Sequence, residues 1–264
     1  MSEMEFAQPW YELFRTPAPC DHVIQLYTDE AFLTRAISHF VGAGLEHGEG
    51  GVMIATPAHL QAVTRALGVT VDVASARARD QLVILDAQAC LDGFMVDGRP
   101  HPEKFFAVVG VVLDRVTAAG YPRMRLFGEM VDLLWDHNLK ATLELEALWS
   151  QVLAARRVAL LCAYQIDNFD RHAHRGVLHQ LSRCHSHLVP VEDYQRFERA
   201  VDHAYREVFG PNGDAGLLRQ LLGRPTDGPP TMPAAQAALL ALRDVRRDLA
   251  DDVLERARRH YLRA

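Results

Sequence analysis

A three-layer α/β fold built on a largely parallel sheet is predicted by two features of the chain: five short apolar runs rich in β-formers, and helical patterns between them. The runs are HVIQLY (22–27), GVMIAT (51–56), QLVILD (81–86), RMRLFGEM (123–130) and VALLCAYQ (158–165). Parallel strands are covered on both faces, so they read as continuous apolar stretches rather than as an alternation. Strand and helix alternate along the chain, and this order places any ligand crevice beyond the carboxyl ends of the strands.

The elements follow in order. After the first strand, Phe32, Ala36, Ile37 and Phe40 recur at helical spacing before Gly44. Pro57 suits the first turn of the next helix, with Thr56 as its cap. PEKFFAVVGVVLDRVTAAGYP (102–122) carries its own start at Pro102 and its stops at Gly120 and Pro122. Leu145, Leu148, Trp149 and Val152 mark a further helix, and EDYQRFERAVDHAYREVF (192–209) another. Residues 210–233 are dense in Gly and Pro and read as a linker. Beyond them, 234–264 read as one amphipathic helix with a stripe of Leu242, Val245, Leu249 and Val253. The predicted organisation is an N-terminal segment (1–21), an α/β domain (22–209), the linker and the terminal helix. Such a stripe must be covered by the domain itself or by a second chain, and a homodimer paired through it is the simplest closed arrangement.

Composition narrows the function classes. With 264 residues, 49% hydrophobic and 23% charged, the chain is a globular protein with a full core, and disorder throughout is excluded. No apolar run reaches membrane-spanning length, and the acidic start MSEMEFAQPWYELF lacks the basic region of a secretory signal, which predicts a cytoplasmic protein. The four cysteines, Cys20, Cys90, Cys162 and Cys184, form no CxxC pair and suit reduced thiols. A formal charge of −6 gives no general footprint for nucleic acid. The terminal helix has seven Arg against five acids, interspersed as on a solvated or helix-pairing face.

The stretch GLEHGEGGVMIATPAHL (44–60) has the glycines of a phosphate-binding turn but neither the Lys nor the following Ser/Thr of a Walker loop. The only lysines of the chain are Lys104 and Lys140. The helix begun at Thr56-Pro57 leaves N–H groups for an anion, although Glu49 would repel a triphosphate without a metal.

Other strand ends carry the candidate site. Glu129 follows a buried strand where ATPases of this shape hold magnesium or a water; its plainer role is an ion pair with Arg125 on the same face. Asp86 closes another strand, and Glu146 on the following helix joins a candidate cluster of carboxylates. Cys162 and Tyr164 share one face of their strand. A buried Cys is ordinarily inert; as a sensing thiol it would need a lowered pKa. His172, His174, His179, His185 and His187 lie near Cys184, but Cys-His-x-His matches no zinc spacing, so they read as surface and capping residues and no metal is assigned. The predicted ligand-binding set is His22, Tyr27, Thr56, Asp86, Glu129, Glu146, Cys162 and Tyr164. No cofactor is assigned, and no catalytic signature of an esterase elbow, metalloprotease, kinase or Rossmann type occurs.

An ordered set of motifs adds a family. H-x-x-Q-x-Y (22–27), F-x-x-x-G-L-x-x-G-E (40–49), L-x-x-L-D (82–86), R-L-F-G-E-M (125–130), L-E-A-L-W (145–149), L-C-A-Y (161–164) and C-H-S-H-L (184–188) occur in this sequence. Over residues 20–210 the chain resembles the MEDS family of sensory domains. The resemblance implies a degenerate relative of the RecA/KaiC ATPase fold, serving as a signal-input module joined to histidine kinases, DNA-binding regulators or partner proteins. It implies no particular ligand. The reading is a non-catalytic sensor of a small molecule or protein partner; the alternative is a weak nucleotide binder or residual hydrolase using Glu129, or a thiol catalyst using Cys162.

Overall fold

The computed structural model describes residues 8–210 and 231–263. Most of the predicted linker, and the first residues of the N-terminal segment, lie outside them. The elements are α1 (Pro9–Arg15), β1 (His22–Leu26), α2 (Glu30–Glu46), β2 (Gly50–Ala55), α3 (Pro57–Leu67), α4 (Val73–Ala78), β3 (Leu82–Asp86), α5 (Ala87–Phe94), β4 (Met95–Val96), β5 (Arg99–Pro100), α6 (Pro102–Phe105), α7 (Val111–Ala118), β6 (Met124–Gly128), α8 (Asp132–Trp135), α9 (Leu139–Ala155), β7 (Val158–Tyr164), α10 (Leu178–Arg183), β8 (His187–Val189), α11 (Tyr194–Phe209), α12 (Ala234–Val245) and α13 (Arg247–Arg263). A π-turn at Phe106–Gly110 joins α6 to α7, so the helix expected over 102–122 forms with one wide turn inside it.

Six strands form a parallel sheet in the order β3-β2-β6-β7-β1-β8, and the five predicted strands are all among them. The register pairs Gly51 with Leu82, Gly50 with Met124 and Met124 with Val158. Strands β1, β2, β6 and β7 are buried along their whole length, as their continuous apolar runs require. A two-stranded hairpin of β4 and β5 stands apart from this sheet.

By its contacts the chain divides into two compact units, residues 1–24 with 29–165, and residues 25–28 with 166–264. In the first unit α1 is an element that the sequence reading leaves as an unassigned segment. Its Trp10 and Phe14 are buried, and Trp10 meets Phe32 edge-on at 5.4 Å. The glycines of 44–51 prove to serve a turn and close packing. Gly48, at φ +74°, turns the chain from α2 into β2. Gly44 makes room for Arg125: a Cβ there would lie 2.6 Å from Arg125 Cδ.

In the second unit, residues 234–264 differ from the expected single helix. The chain breaks at Arg246, whose φ and ψ of −138° and 71° are not helical, and resumes as α13. The break shifts the phase of the apolar stripe. Val245 is 44% exposed, while Ala250, Val253, Leu254 and Ala257 of α13 are buried against Phe197, Val201 and Ala204 of α11. The unit therefore covers the apolar face that suggested pairing between chains, so this face gives no support to a dimer. The homodimer expectation loses its physical motive.

Candidate functional site

Most of the predicted site residues fall into two separate constellations in the first unit. The first stands at the carboxyl ends of β2 and β6. The N–H of Glu129 donates to Ile54 O at 2.9 Å, extending the ladder past β6 and holding Glu129 beside Thr56. The carboxylate accepts from the Thr56 N–H at 2.9 Å and from the Thr56 hydroxyl at 3.3 Å. Thr56 occupies the cap position of α3, but its side chain makes no capping bond to the helix.

His59, absent from the predicted site, completes this group. Its Nδ1 lies 2.6 Å from Glu129 Oε1 and its Nε2 lies 2.5 Å from Glu30 Oε2. An ionised carboxylate only accepts, so both ring nitrogens carry protons and His59 is an imidazolium. Its pKa is raised to about 9, chiefly by the hydrogen bond to Glu129, against the opposing effect of burial. The start of α3 is where a helix N-terminus would hold a phosphate. Here Glu129 supplies the negative charge itself.

Two expectations for the acids are corrected by this geometry. Arg125 pairs with Glu49, not Glu129: its Nε donates to Glu49 Oε2 at 2.6 Å. Although Arg125 and Glu129 share a face, four residues at about 3.3 Å each separate them by about 13 Å along the strand. Glu49 accordingly lies at the amino end of β2, far from the start of α3, where Arg123 also reaches it at 3.1 Å. An open cleft of about 570 Å³ there is lined by Arg15, His47, Glu49, Arg123 and Arg125. The expected cluster of Asp86, Glu129 and Glu146 also dissolves, because each carboxylate has its own partners. Asp86 accepts from the Ala89 N–H at 2.7 Å and caps α5. Asp86→Ala is expected to lower stability by about 1 kcal/mol, while Asp86→Asn keeps the cap. Chemical denaturation of both variants checks this, and equal losses would refute the capping role.

The second constellation forms on the other face of the sheet. Cys162 pairs in register with Gly128, three residues beyond Arg125, so the alternation of strand side chains points it away from α2. Here α9 supplies Glu146, which is fully buried. His22 Nε2 lies 3.4 Å from Cys162 Sγ and 3.2 Å from Glu146 Oε2. Tyr164, on the same face of β7 as Cys162, donates its hydroxyl to Glu146 Oε1 in a short hydrogen bond. The donor atoms of His22, Glu146 and Cys162 all lie within 4.8 Å of one another. Imidazole, carboxylate and thiol together are a donor set for a transition-metal cation.

The remaining candidates lie in the second unit. Tyr27 is buried there just beyond β1. Of the histidine group, His174 is buried and its Nε2 faces Asn168 O at 2.7 Å; desolvation lowers its pKa to about 4. His185 is also buried, with Nδ1 at 2.7 Å from Leu181 O. His172 is exposed.

Residues 21–186, which include both constellations, match the sensory domain described as MEthanogen/methylotroph, DcmR Sensory domain, or MEDS. The chain belongs to the MEDS family. The match runs from the residue before His22 to the one before β8, so α11 to α13 lie outside the part that defines the MEDS domain. No curated protein matches the chain. No helix among the described residues is long and apolar enough to cross a membrane.

Proposed function

We propose that this MEDS protein is a non-catalytic signal-input module, which takes up a small-molecule signal or engages a partner protein and feeds signal transduction or transcription control. Membership of a sensory family supports the input role. The observation that favours a non-catalytic protein is the engagement of Glu129. A hydrolase would need this carboxylate free to orient magnesium or water, and an open helix N-terminus for the phosphates. In this protein Glu129 is held by Thr56 and by the His59 cation, at the start of α3. The stretch 44–60 that leads into α3 contains no lysine.

Two measurements test the proposal. Steady-state phosphate release from ATP or GTP should not exceed the background rate; robust turnover abolished by a folded Glu129→Gln variant would overturn the non-catalytic reading. Mass spectrometry of the denatured protein should reveal a co-purified small molecule if the signal is a ligand, and cross-linking in cell extract a signalling partner if it is a protein. Finding neither a bound small molecule nor a partner would remove the support for a signal-input role.

A further inference from the structure

We infer that His22, Glu146 and Cys162 bind one divalent transition-metal cation of the zinc class within the first unit. The inference rests on the geometry of these side chains, not on the proposed signal-input role. Zinc lies about 2.0–2.1 Å from imidazole nitrogen, 2.0–2.2 Å from carboxylate oxygen and 2.3 Å from thiolate sulfur. At tetrahedral angles those bonds put nitrogen and sulfur about 3.6 Å apart, and nitrogen and oxygen about 3.4 Å apart. The observed separations are 3.4 Å for His22 Nε2 to Cys162 Sγ and 3.2 Å for His22 Nε2 to Glu146 Oε2. Each is within a few tenths of an ångström of the metal-bound value.

Hydrogen bonding alone accounts less well for the convergence. A ring nitrogen has one proton or one lone pair, so it makes one well-directed bond, yet His22 Nε2 faces both a carboxylate oxygen and a sulfur. A cation at the centre satisfies all three donors at once. The carboxylate is also oriented for ligation, because Tyr164 holds Oε1 and leaves Oε2 turned toward His22. Hydrogen bonds of this kind, from a neighbour to a ligating carboxylate, are a regular feature of protein metal sites. The three donors stand on β1, β7 and α9, all three residues belong to the first unit, and all are buried. Nitrogen, oxygen and sulfur together suit zinc, whereas calcium and magnesium take oxygen alone. Three protein donors leave the fourth tetrahedral position to a further donor or an exchangeable ligand. Cys162 enters as thiolate, its proton passing to solvent as the metal binds.

The test titrates Co²⁺ alone into the full chain after chelator treatment and dialysis, with elemental analysis of the untreated protein alongside. The expected result is about one Co²⁺ per chain with a thiolate-to-cobalt charge-transfer band, displaced by Zn²⁺. The band should persist when Cys20 and Cys184 are replaced by Ser and Cys90 by Ala, and vanish in Cys162→Ser. Tyr164→Phe removes only the hydroxyl and should weaken affinity about 10–100-fold. A wild-type chain without the band overturns the inference. So does a band lost from the triple variant, or one unchanged in a folded Cys162→Ser chain. Should Cys162→Ser not fold, the wild-type and triple-variant titrations decide alone. Absence of metal would leave the signal-input reading standing, and nucleotide turnover would leave the metal site standing.

Discussion

Replacing Arg125 by Met is expected to destabilise the protein by about 3–5 kcal/mol, the cost of removing one partner from a buried ion pair. Arg125 is 3% exposed, and its guanidinium joins elements that are distant in sequence. Nε donates to Glu49; Nη1 donates to Phe14 O at 2.7 Å and Phe40 O at 3.0 Å; Nη2 donates to Arg15 O at 3.0 Å. The carbonyls of Phe14 and Arg15 are among the last of α1, which a helix leaves without internal partners. Met keeps much of the apolar stem but leaves these carbonyls and part of Glu49 unsatisfied. The change should appear as a lower urea midpoint with an unchanged slope. Gly44→Ala attacks the same contact from α2, because its Cβ would meet Arg125 Cδ at 2.6 Å and Nε at 2.7 Å. Overpacking of this kind costs about 1–3 kcal/mol. The two effects should be coupled: a Met side chain, no longer fixed by the guanidinium's hydrogen bonds, can turn aside, so that Gly44→Ala costs less when Arg125 is already Met. Additive losses would show that Gly44 does not serve Arg125.

How much of this is legible in the sequence differs from residue to residue. The five predicted strands are legible because burial on both faces leaves a continuous apolar run for each. The shared face of Cys162 and Tyr164 follows from simple alternation, and both side chains do reach the group around His22 and Glu146. What joins that group is the crossing of α9 over β7, which no local spacing encodes. Pro9 is a start signal for α1, but seven residues are too few to display a helical period. Arg125 illustrates a different limit. Its distance from Glu129 along the strand can be read from the sequence, but its partners on α1, α2 and the turn before β2 cannot. The terminal stripe fails for a third reason. Periodicity carried through Arg246 treats the helix as continuous, whereas the break there turns Val245 outward and selects Ala250, Val253, Leu254 and Ala257 as the buried face of α13.

The stability contributed by His59 is expected to depend on pH in a direction that the geometry dictates. In the folded protein the imidazolium lies between Glu129 and Glu30, its side chain 15% exposed, and its pKa stands at about 9. In the unfolded chain it returns to about 6.5. The folded state therefore holds the proton more tightly, and stability falls as pH rises wherever the folded chain binds more protons. The contribution is fully present below about pH 6.5 and is lost progressively as pH rises through about 9. Allowing for solvent at the ring, it amounts to something on the order of 2 kcal/mol. His59→Gln retains hydrogen-bonding capacity but cannot carry the proton, so the difference in unfolding free energy between wild type and variant should be largest near pH 6 and shrink toward pH 10. Urea titrations of both proteins across that range provide the measurement. Glu129→Gln should reduce the same dependence, because it removes the largest cause of the raised pKa. A difference that stays constant with pH, or grows toward alkaline pH, would mean that His59 is not the bridging cation between these carboxylates.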